Sequence, residues 1–278
     1  MNELTHLSLF SGVGGLDLAA EWAGFTTVGQ CEWADYPRGV LQKHWPDVPK
    51  WRDIRTLTKE GFRERTGLDT VTVLSGGFPC QPFSTAGKRR GKEDDRYLWP
   101  EMLRVISEIR PTWVVGENVA GLVSLALDTV LSDLEGIGYA CQTLIIPACA
   151  VDAPHRRDRC AIVGYDTHSL HGPQTVEAIL SWENANTGRV CQTMADANSI
   201  RLEEPWLQGC PEKSAVPVAN HGWWPVEPDV GRVAHGISHR VDRLRCLGNA
   251  VVPQQFYPVF RAIADIEKQL KGKYGNEH

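Results

Sequence analysis

The chain has 278 residues, of which 42% are hydrophobic and 23% are charged, and its formal net charge is −5. This composition excludes a disordered tail, a coiled coil and a collagen-like fibre, and the length suffices for one large core with a small appended module. A net negative charge gives no global attraction to nucleic acid, so any basic surface must be local.

Short apolar runs alternate with helical patterns through the first 165 residues. The runs predict buried strands at residues 6–10, 26–31, 71–74, 112–115, 144–146 and 161–163. The helical patterns predict helices at residues 16–22, 39–45, 98–109 and 123–134. Strands that alternate with helices require a mainly parallel sheet with helices on both faces. We therefore predict an α/β fold.

The texture of the sequence changes at Asp166. Residues 166–240 are rich in Pro, Gly, Asn and Trp, show little periodicity and carry a net charge of −4. A closing helix is then predicted over residues 256–270. We interpret residues 1–165 and 241–278 as one discontinuous domain, into which a smaller module of residues 166–240 is inserted.

The sequence gives no signal for secretion, for a membrane span or for a metal site. Met1–His6 has no basic start followed by an apolar run, and no stretch approaches the ~18 apolar residues of a membrane-spanning helix. The eight cysteines include no Cys-x-x-Cys pair, which argues against a disulfide framework and a structural zinc site. We therefore expect a soluble, cytoplasmic chain with reduced cysteines.

A glycine-rich segment, Phe10–Gly15, follows the first predicted strand. Glycines let the backbone approach a ligand closely, and the N-terminus of the next helix offers unpaired N–H groups. Glu32 lies twenty residues after Gly12, at the end of the second strand, where a carboxylate can accept hydrogen bonds from a ribose. The carboxylate of Asp53 can meet the amino group of an adenine. These residues predict a nucleoside-bearing cofactor, either a dinucleotide or S-adenosylmethionine, although glycines alone also make tight turns.

Cys80 lies in a loop rich in Gly and Pro, Gly76–Ser84, after the third predicted strand. Ligands of α/β folds bind at the carboxyl ends of the strands, and the flanking prolines stiffen the loop that carries the sulfur. The nearby cations Lys88 and Arg89 favour the thiolate, which is the reactive form of cysteine. Cys80 is therefore a candidate nucleophile, with an inert buried thiol as the alternative.

Two further charged motifs adjoin predicted strands. Glu117 follows the fourth strand, opposite the Cys80 loop, where a carboxylate can bind a heterocycle and exchange a proton with it. A solvated acid or a helix cap is the alternative. Arg157 and Arg159 precede the last strand and share one face of an extended segment. Two guanidinium groups on one face can hold a base edge or a phosphate, whereas a solvated charge run is the alternative.

Taken in this order, the motifs resemble those of the DNA (cytosine-5)-methyltransferase family. The resemblance rests on Phe-x-Gly-x-Gly-Gly, the acidic end of the second strand, Pro-Cys-Gln, Glu-Asn-Val, Arg-x-Arg and Gly-Asn-Ala-Val-Val-Pro, the last at residues 248–253. It covers residues 6–165 and about 240–265 and leaves the middle module unmatched. It implies the Rossmann-like fold of S-adenosylmethionine-dependent methyltransferases, with residues 166–240 as a target-recognition module.

The resemblance also implies a role for each matching residue. Cys80 is the expected nucleophile, Glu117 the contact to the cytosine edge, and Arg157 with Arg159 the supports of the base and the reaction intermediate. The expected contacts to S-adenosylmethionine are Phe10, Gly12, Gly14, Glu32, Trp33, Asp53, Ile54, Pro79, Leu98, Asn249, Ala250 and Val251. The residues expected to contact DNA are Gln81, Ser84, Lys88, Arg89, Arg240 and Arg243.

The reaction implied by the resemblance is methyl transfer from S-adenosylmethionine to carbon 5 of cytosine in double-stranded DNA. It proceeds through a covalent bond to Cys80, with the base flipped out of the duplex. We expect a monomer without metal or membrane contacts, in the cytoplasm of a bacterial or phage-infected cell.

Three alternatives remain: an RNA cytosine-5 methyltransferase, a non-catalytic DNA-binding homologue and a nicotinamide-dependent oxidoreductase. The intact Cys80, Glu117 and Arg159 argue against a non-catalytic homologue, and an oxidoreductase gives no role to Pro-Cys-Gln. The acidic charge of the middle module is unusual for a surface that lies on DNA.

Overall fold

The computed structural model describes residues 3–79, 97–169 and 240–274. Its described strands form one sheet in the order β3-β2-β1-β4-β5-β7-β6. Strands β1 to β5 run parallel to one another, whereas β7 is antiparallel to both of its neighbours, β5 and β6. The strands are Thr5–Leu9 (β1), Thr26–Cys31 (β2), Lys50–Trp51 (β3), Val73–Gly76 (β4), Trp113–Val119 (β5), Tyr139–Ile146 (β6) and Arg159–Asp166 (β7).

The helices connect the strands and cover the sheet. They are Gly15–Trp22 (α1), Asp35–His44 (α2), Lys59–Thr66 (α3), Trp99–Ile109 (α4), Leu122–Leu125 (α5), Leu127–Gly136 (α6), Arg240–Asn249 (α7) and Pro253–Tyr274 (α8). Two short 3-10 turns, Ile54–Thr56 and Ala148–Val151, follow β3 and β6.

Hydrophobic cores lie on both faces of the sheet. One core contains Phe62 of α3, Met102 of α4 and Val130 of α6, and the other contains Ala19 of α1 and Phe260 of α8. Side chains alternate between the two faces along each strand, so a strand buried on both faces contributes to both cores. The predicted α/β fold, with a mainly parallel sheet and helices on both faces, is thereby confirmed.

Several elements differ from the sequence prediction. The two-residue strand β3 and helix α3 were not predicted, and the third predicted strand lies two residues later, at β4. The helix predicted over residues 123–134 is two helices, because Ala126 between them has φ −154° and ψ 2°, outside the helical region. Helix α8 extends the predicted closing helix at both ends.

The predicted module of residues 166–240 lies almost entirely outside the described residues. Strand β7 continues through Asp166, and the description stops at Ser169 and resumes at Arg240. The boundary at residue 166 and the separate character of the module therefore stay predictions. None of the helices in the described ranges is long and apolar enough to cross a membrane.

Candidate active site

A cavity of about 1570 Å³ opens at the carboxyl ends of β1, β2, β4 and β5. In a parallel sheet these ends meet at one edge, where α/β proteins bind ligands. Asn249 at the end of α7 and the turn between α7 and α8, residues 250–252 (the α7–α8 turn), close the cavity from the far end of the chain. Of the residues expected to contact S-adenosylmethionine, those that line it are Phe10, Gly12, Glu32, Trp33, Asp53, Ile54, Pro79, Leu98, Asn249, Ala250 and Val251.

The loop after β1 is tied to the end of β2. Gly12 has φ 55°, in the left-handed region that favours glycine, and its N–H donates to Glu32 Oε2 at 2.8 Å. The other carboxylate oxygen of Glu32 accepts from the N–H of Ala34, also at 2.8 Å. The carboxylate is thus held at the cavity wall, and each of its oxygens has a second lone pair for a ligand hydroxyl.

Gly14 is the exception among the expected cofactor contacts, because it does not line the cavity. Its φ is 89°, and a Cβ at this position would lie 2.5 Å from the indole ring of Trp45. Gly14 is therefore required for the close packing of the loop on Trp45, a contact that sequence spacing does not reveal.

The next stretch of cavity wall carries an exposed indole and a carboxylate. Trp33 is 63% exposed, and the guanidinium carbon of Arg52 lies 5.6 Å from the centroid of its ring. Asp53 Oδ1 accepts from the N–H of Arg55 at 3.0 Å, which fixes the 3-10 turn that presents Ile54. Arg52 was not predicted, since a single arginine beside a two-residue strand carries no motif. Its cation–π contact depends on the parallel pairing of β2 with β3.

The segment after β4 approaches β5 closely at the other end of the cavity. A Cβ on Gly77 would lie 2.7 Å from Glu117 Oε2, so only glycine fits there without displacement. The buried Asn118 donates from Nδ2 to the carbonyl oxygen of Phe78 at 3.0 Å. These contacts fix Pro79, which precedes Cys80 in the chain.

Cys80 itself lies outside the described residues, and so do four residues expected to contact DNA: Gln81, Ser84, Lys88 and Arg89. The other two, Arg240 and Arg243, belong to α7, where only their backbone is described. The roles assigned to these residues stay predictions.

Glu117 and Arg159 form a buried ion pair. Arg159 Nε lies 2.8 Å from Glu117 Oε1, and each side chain is 12% exposed. The two residues are on neighbouring strands, β5 and β7, whose antiparallel pairing brings them to the same edge of the sheet. Burial raises the pKa of Glu117 above its ordinary value, while the positive charges of Arg159 and Arg157 lower it. Glu117 lines the cavity, so its carboxyl group can exchange a proton with a bound heterocycle.

Arg157 departs from the expected arrangement. The segment before β7 is not extended, because Arg157 has φ 35°, in the left-handed region. Its Nη2 donates to the carbonyl oxygens of Gly248 and Ala250, each at 2.7 Å. The prediction that Arg157 and Arg159 share one face is therefore wrong: Arg159 pairs with Glu117, and Arg157 binds the end of α7 and the α7–α8 turn.

No group of His, Cys, Asp and Glu suited to a metal ion occurs among the residues that the model describes. The polar groups at the cavity are instead carboxylates, guanidinium groups and backbone N–H groups. This mixed lining suits a polar organic ligand and a heterocycle.

Comparison with known proteins places this site in a family. A family model described as C-5 cytosine-specific DNA methylase matches residues 4–204. The Type II methyltransferase M.PspPI of Psychrobacter sp. is 38% identical over 191 residues, which are 64% of this chain and 45% of the relative. The Type II methyltransferase M.AquIA of Picosynechococcus sp. is 33% identical over 174 residues, which are 57% of this chain and 70% of the relative. The chain spans about half the length of M.PspPI and of several other curated relatives.

A solved structure has a similar fold. It is the crystal structure of a protein designated a DNA modification methyltransferase, encoded within a prophage of E. coli. The TM-score is 0.51 at 26% identity, over 59% of this chain and 47% of the other. The family model covers most of the chain, including Glu32, Glu117 and Arg159. The chain therefore belongs to the C-5 cytosine-specific DNA methylase family.

Proposed function

We propose that this protein transfers a methyl group from S-adenosylmethionine to carbon 5 of cytosine in double-stranded DNA. One observation carries the proposal. Glu117 lines the same cavity as Glu32, is ion-paired with Arg159, and adjoins the segment that leads into Cys80. A wall suited to the cofactor and a carboxyl group suited to a pyrimidine thus lie in one cavity, in a chain of the matching family.

The cavity residues fit S-adenosylmethionine. The two oxygens of Glu32 each accept one backbone hydrogen bond and keep a lone pair for the ribose hydroxyls. The exposed ring of Trp33 offers a face on which an adenine can stack, and Asp53 lies nearby at the wall. When bound, this cofactor supplies an electrophilic methyl group on a sulfonium ion.

The residues at the other end supply the activation of cytosine. Carbon 5 of cytosine is too electron-poor to attack a methyl group directly. Addition of the Cys80 thiolate to carbon 6 converts the ring into an enamine that is nucleophilic at carbon 5. After methylation a base removes the proton from carbon 5, the electron pair reforms the ring double bond, and the thiolate leaves carbon 6.

Glu117 stabilises the charge that this addition places on the ring. A carboxyl group whose pKa is raised by burial can donate a proton to ring nitrogen 3, and it can accept from the exocyclic amine. Arg159 fixes the orientation of Glu117 through their ion pair. The base must leave the duplex to reach these groups, so we propose that it is flipped into the cavity.

We also propose that residues 166–240 form the target-recognition module. We expect the protein to act as a monomer in the cytoplasm of a bacterial or phage-infected cell. Of the alternatives, methylation of tRNA shares this chemistry, while the family model and the Type II relatives support a DNA substrate.

The test is transfer of tritium from methyl-labelled S-adenosylmethionine to unmethylated genomic duplex DNA, with tRNA in parallel. The wild type is expected to label DNA alone and to yield 5-methyl-2′-deoxycytidine on nucleoside analysis. Cys80→Ser should abolish transfer and keep cofactor affinity, because serine is the poorer nucleophile and Cys80 does not hold the cofactor. Label in tRNA alone, no transfer to either substrate, or full turnover by Cys80→Ser would overturn the proposal.

A further inference from the structure

The chain on both sides of the α7–α8 turn is bonded to Arg157. A single nitrogen of Arg157, Nη2, donates to the carbonyl oxygens of Gly248 and Ala250. Gln255, fully buried in the first turns of α8, donates from Nε2 to the carbonyl oxygen of Arg157 at 3.0 Å. The side chain of Arg157 therefore binds the chain at the start of the turn, and Gln255, beyond the end of the turn, binds the backbone of Arg157.

The opposite side of the same turn forms part of the cavity wall. Asn249, Ala250 and Val251 line the cavity. The carbonyl oxygen of Val251 lies 2.8 Å from where a Cβ on Gly15 would be, so the turn packs directly on the first residue of α1. The turn is thus held between Arg157 and the glycine-rich loop, and its displacement would deform the wall.

The backbone of Arg157 is held in an unusual conformation for this contact. A φ of 35° is rare for a residue with a Cβ and persists only where surrounding contacts compensate for it. The two hydrogen bonds to the turn and the bond from Gln255 are such contacts. Arg159, two residues later, is the arginine that pairs with Glu117.

We propose that Arg157 is a positioning residue for the cofactor site, and that it does not bind the cytosine or the reaction intermediate. It fixes the α7–α8 turn as a wall of the cavity through two charge-assisted hydrogen bonds from one nitrogen. This inference rests on the proposed function, since the ligand of that wall is S-adenosylmethionine. The two arginines of the motif then have separate tasks, since Arg159 pairs with Glu117 and Arg157 holds the α7–α8 turn.

The binding test compares three variants with the wild type by isothermal titration of S-adenosylmethionine. Arg157→Met keeps the apolar stem and removes the donor, and it should weaken binding by about ten-fold or more, the loss expected for a charge-assisted hydrogen bond. Arg157→Lys places one charged nitrogen near both carbonyl oxygens and should restore most of the affinity. Arg156→Met is the matched control, because Arg156 is 53% exposed and pairs with Asp158. It should bind the cofactor as the wild type does.

The kinetic test separates positioning from a contact to the base. With unmethylated duplex DNA, Arg157→Met should raise the KM for S-adenosylmethionine and leave kcat within about two-fold at saturating cofactor. Wild-type cofactor affinity together with a large loss of kcat would overturn the inference and return Arg157 to the base.

Two further outcomes are distinguishable. If Arg157→Met does not fold, Arg157→Gln decides, because it also removes the charge: a raised cofactor KM with unchanged kcat supports positioning, and the reverse pattern contradicts it. A wild type that binds no S-adenosylmethionine overturns the proposed function, and this inference fails with it. If the wild type binds S-adenosylmethionine and both Arg157 variants bind it equally tightly, the inference is overturned and the proposed function is not.

Discussion

Glu117 approaches position 77 so closely that any side chain there would displace it, and the residue is glycine. The carboxylate oxygen occupies the space 2.7 Å from an added Cβ, and Asn118 holds the neighbouring peptide at the carbonyl of Phe78. The segment that leads into Cys80 and the carboxyl group on β5 therefore share one fixed geometry. Catalytic groups misplaced by about 1 Å lose much of their effect, so we expect this contact to control turnover.

Gly77→Ala should lower kcat by about a hundred-fold, because the added methyl group must displace either Glu117 or the Cys80 segment. Cofactor affinity should change little, since Glu32 and Trp33 lie elsewhere on the wall. Steady-state kinetics and isothermal titration measure the two effects. The control is Gly136→Ala at the end of α6, where an added Cβ meets nothing within 4 Å. Unaltered turnover in Gly77→Ala would contradict the assigned geometry.

At the scale of elements, two buried titratable groups join the central strands and α1. His6 on β1 is fully buried, with Nε2 2.7 Å from Ser75 Oγ and Nδ1 3.1 Å from Thr27 Oγ1, and burial lowers its pKa to about 3. Asp17 on α1 accepts from Ser8 Oγ and Gln30 Nε2, and burial raises its pKa to about 6. The two shifts have opposite effects on stability as the pH falls.

The sign of each effect follows from which state binds the proton. Below about pH 6.5 the unfolded chain protonates His6 and the folded chain does not, so His6 lowers the free energy of unfolding as the pH falls. Between about pH 6 and 4 the folded chain protonates Asp17 and the unfolded chain does not, so Asp17 raises it. In the wild type these contributions oppose each other.

Single variants should expose the two effects. The free energy of unfolding of His6→Gln, which keeps Asp17, should rise as the pH falls from 6 towards 4, and that of Asp17→Asn, which keeps His6, should fall. In each variant the remaining group contributes a slope of up to about 1.4 kcal/mol per pH unit, which adds to the slopes of the other titratable groups. Urea unfolding at several pH values in this window measures both slopes. Parallel curves for the two variants would contradict the assigned burial.

Some elements could be predicted from the sequence and others could not. The bounds of β2 were predicted in full, because its run of residues 26–31 ends at the charged Glu32 and follows Gly24, which has φ 95°. Strand β3 was not predicted, since two residues show no periodicity, and it exists only through pairing with β2. The break at Ala126 has no glycine or proline to signal it.

The site was predictable where chemistry resides in motifs and not where it resides in packing. Glu32 and Glu117 lie at strand ends, so topology alone brings them to one cavity. The task of Gly14 depends on Trp45, thirty-one residues later, and that of Arg157 on Gly248, ninety-one residues later. Contacts between residues so distant in sequence produce no local sequence pattern, and no pattern around Arg157 indicates its positive φ.

At the scale of the whole molecule, the cavity is closed by a segment that follows the predicted module of residues 166–240. The described lining residues fall between Phe10 and Val119 and between Asp242 and Val251. Helix α8 then packs against α1, where Tyr257 meets Trp22, and Glu267 of α8 accepts from the indole of Trp113. The cavity wall therefore contains none of the described residues at the start of the predicted module, 166–169.

Replacement of residues 170–239 by a Gly/Ser linker should leave S-adenosylmethionine affinity within about three-fold of the wild type, because residues on either side of that segment, 10–119 and 242–251, form the described cavity wall. Sequence-selective methylation should be lost, since target recognition is proposed to reside there. Isothermal titration and bisulfite sequencing of treated DNA measure the two properties. Retained site selectivity would contradict the proposed module, and a soluble, folded variant without cofactor affinity would contradict the independence of the cavity.

The central claim is that Cys80 bonds to cytosine within a cavity shared with the cofactor. The most direct measurement uses duplex DNA in which every cytosine carries fluorine at carbon 5, incubated with the protein and S-adenosylmethionine. Fluorine does not leave as a proton does, so the covalent adduct cannot resolve and should be recovered by mass spectrometry on the peptide that contains Cys80. An adduct on another cysteine, or no adduct in a protein that binds both cofactor and DNA, would contradict the account.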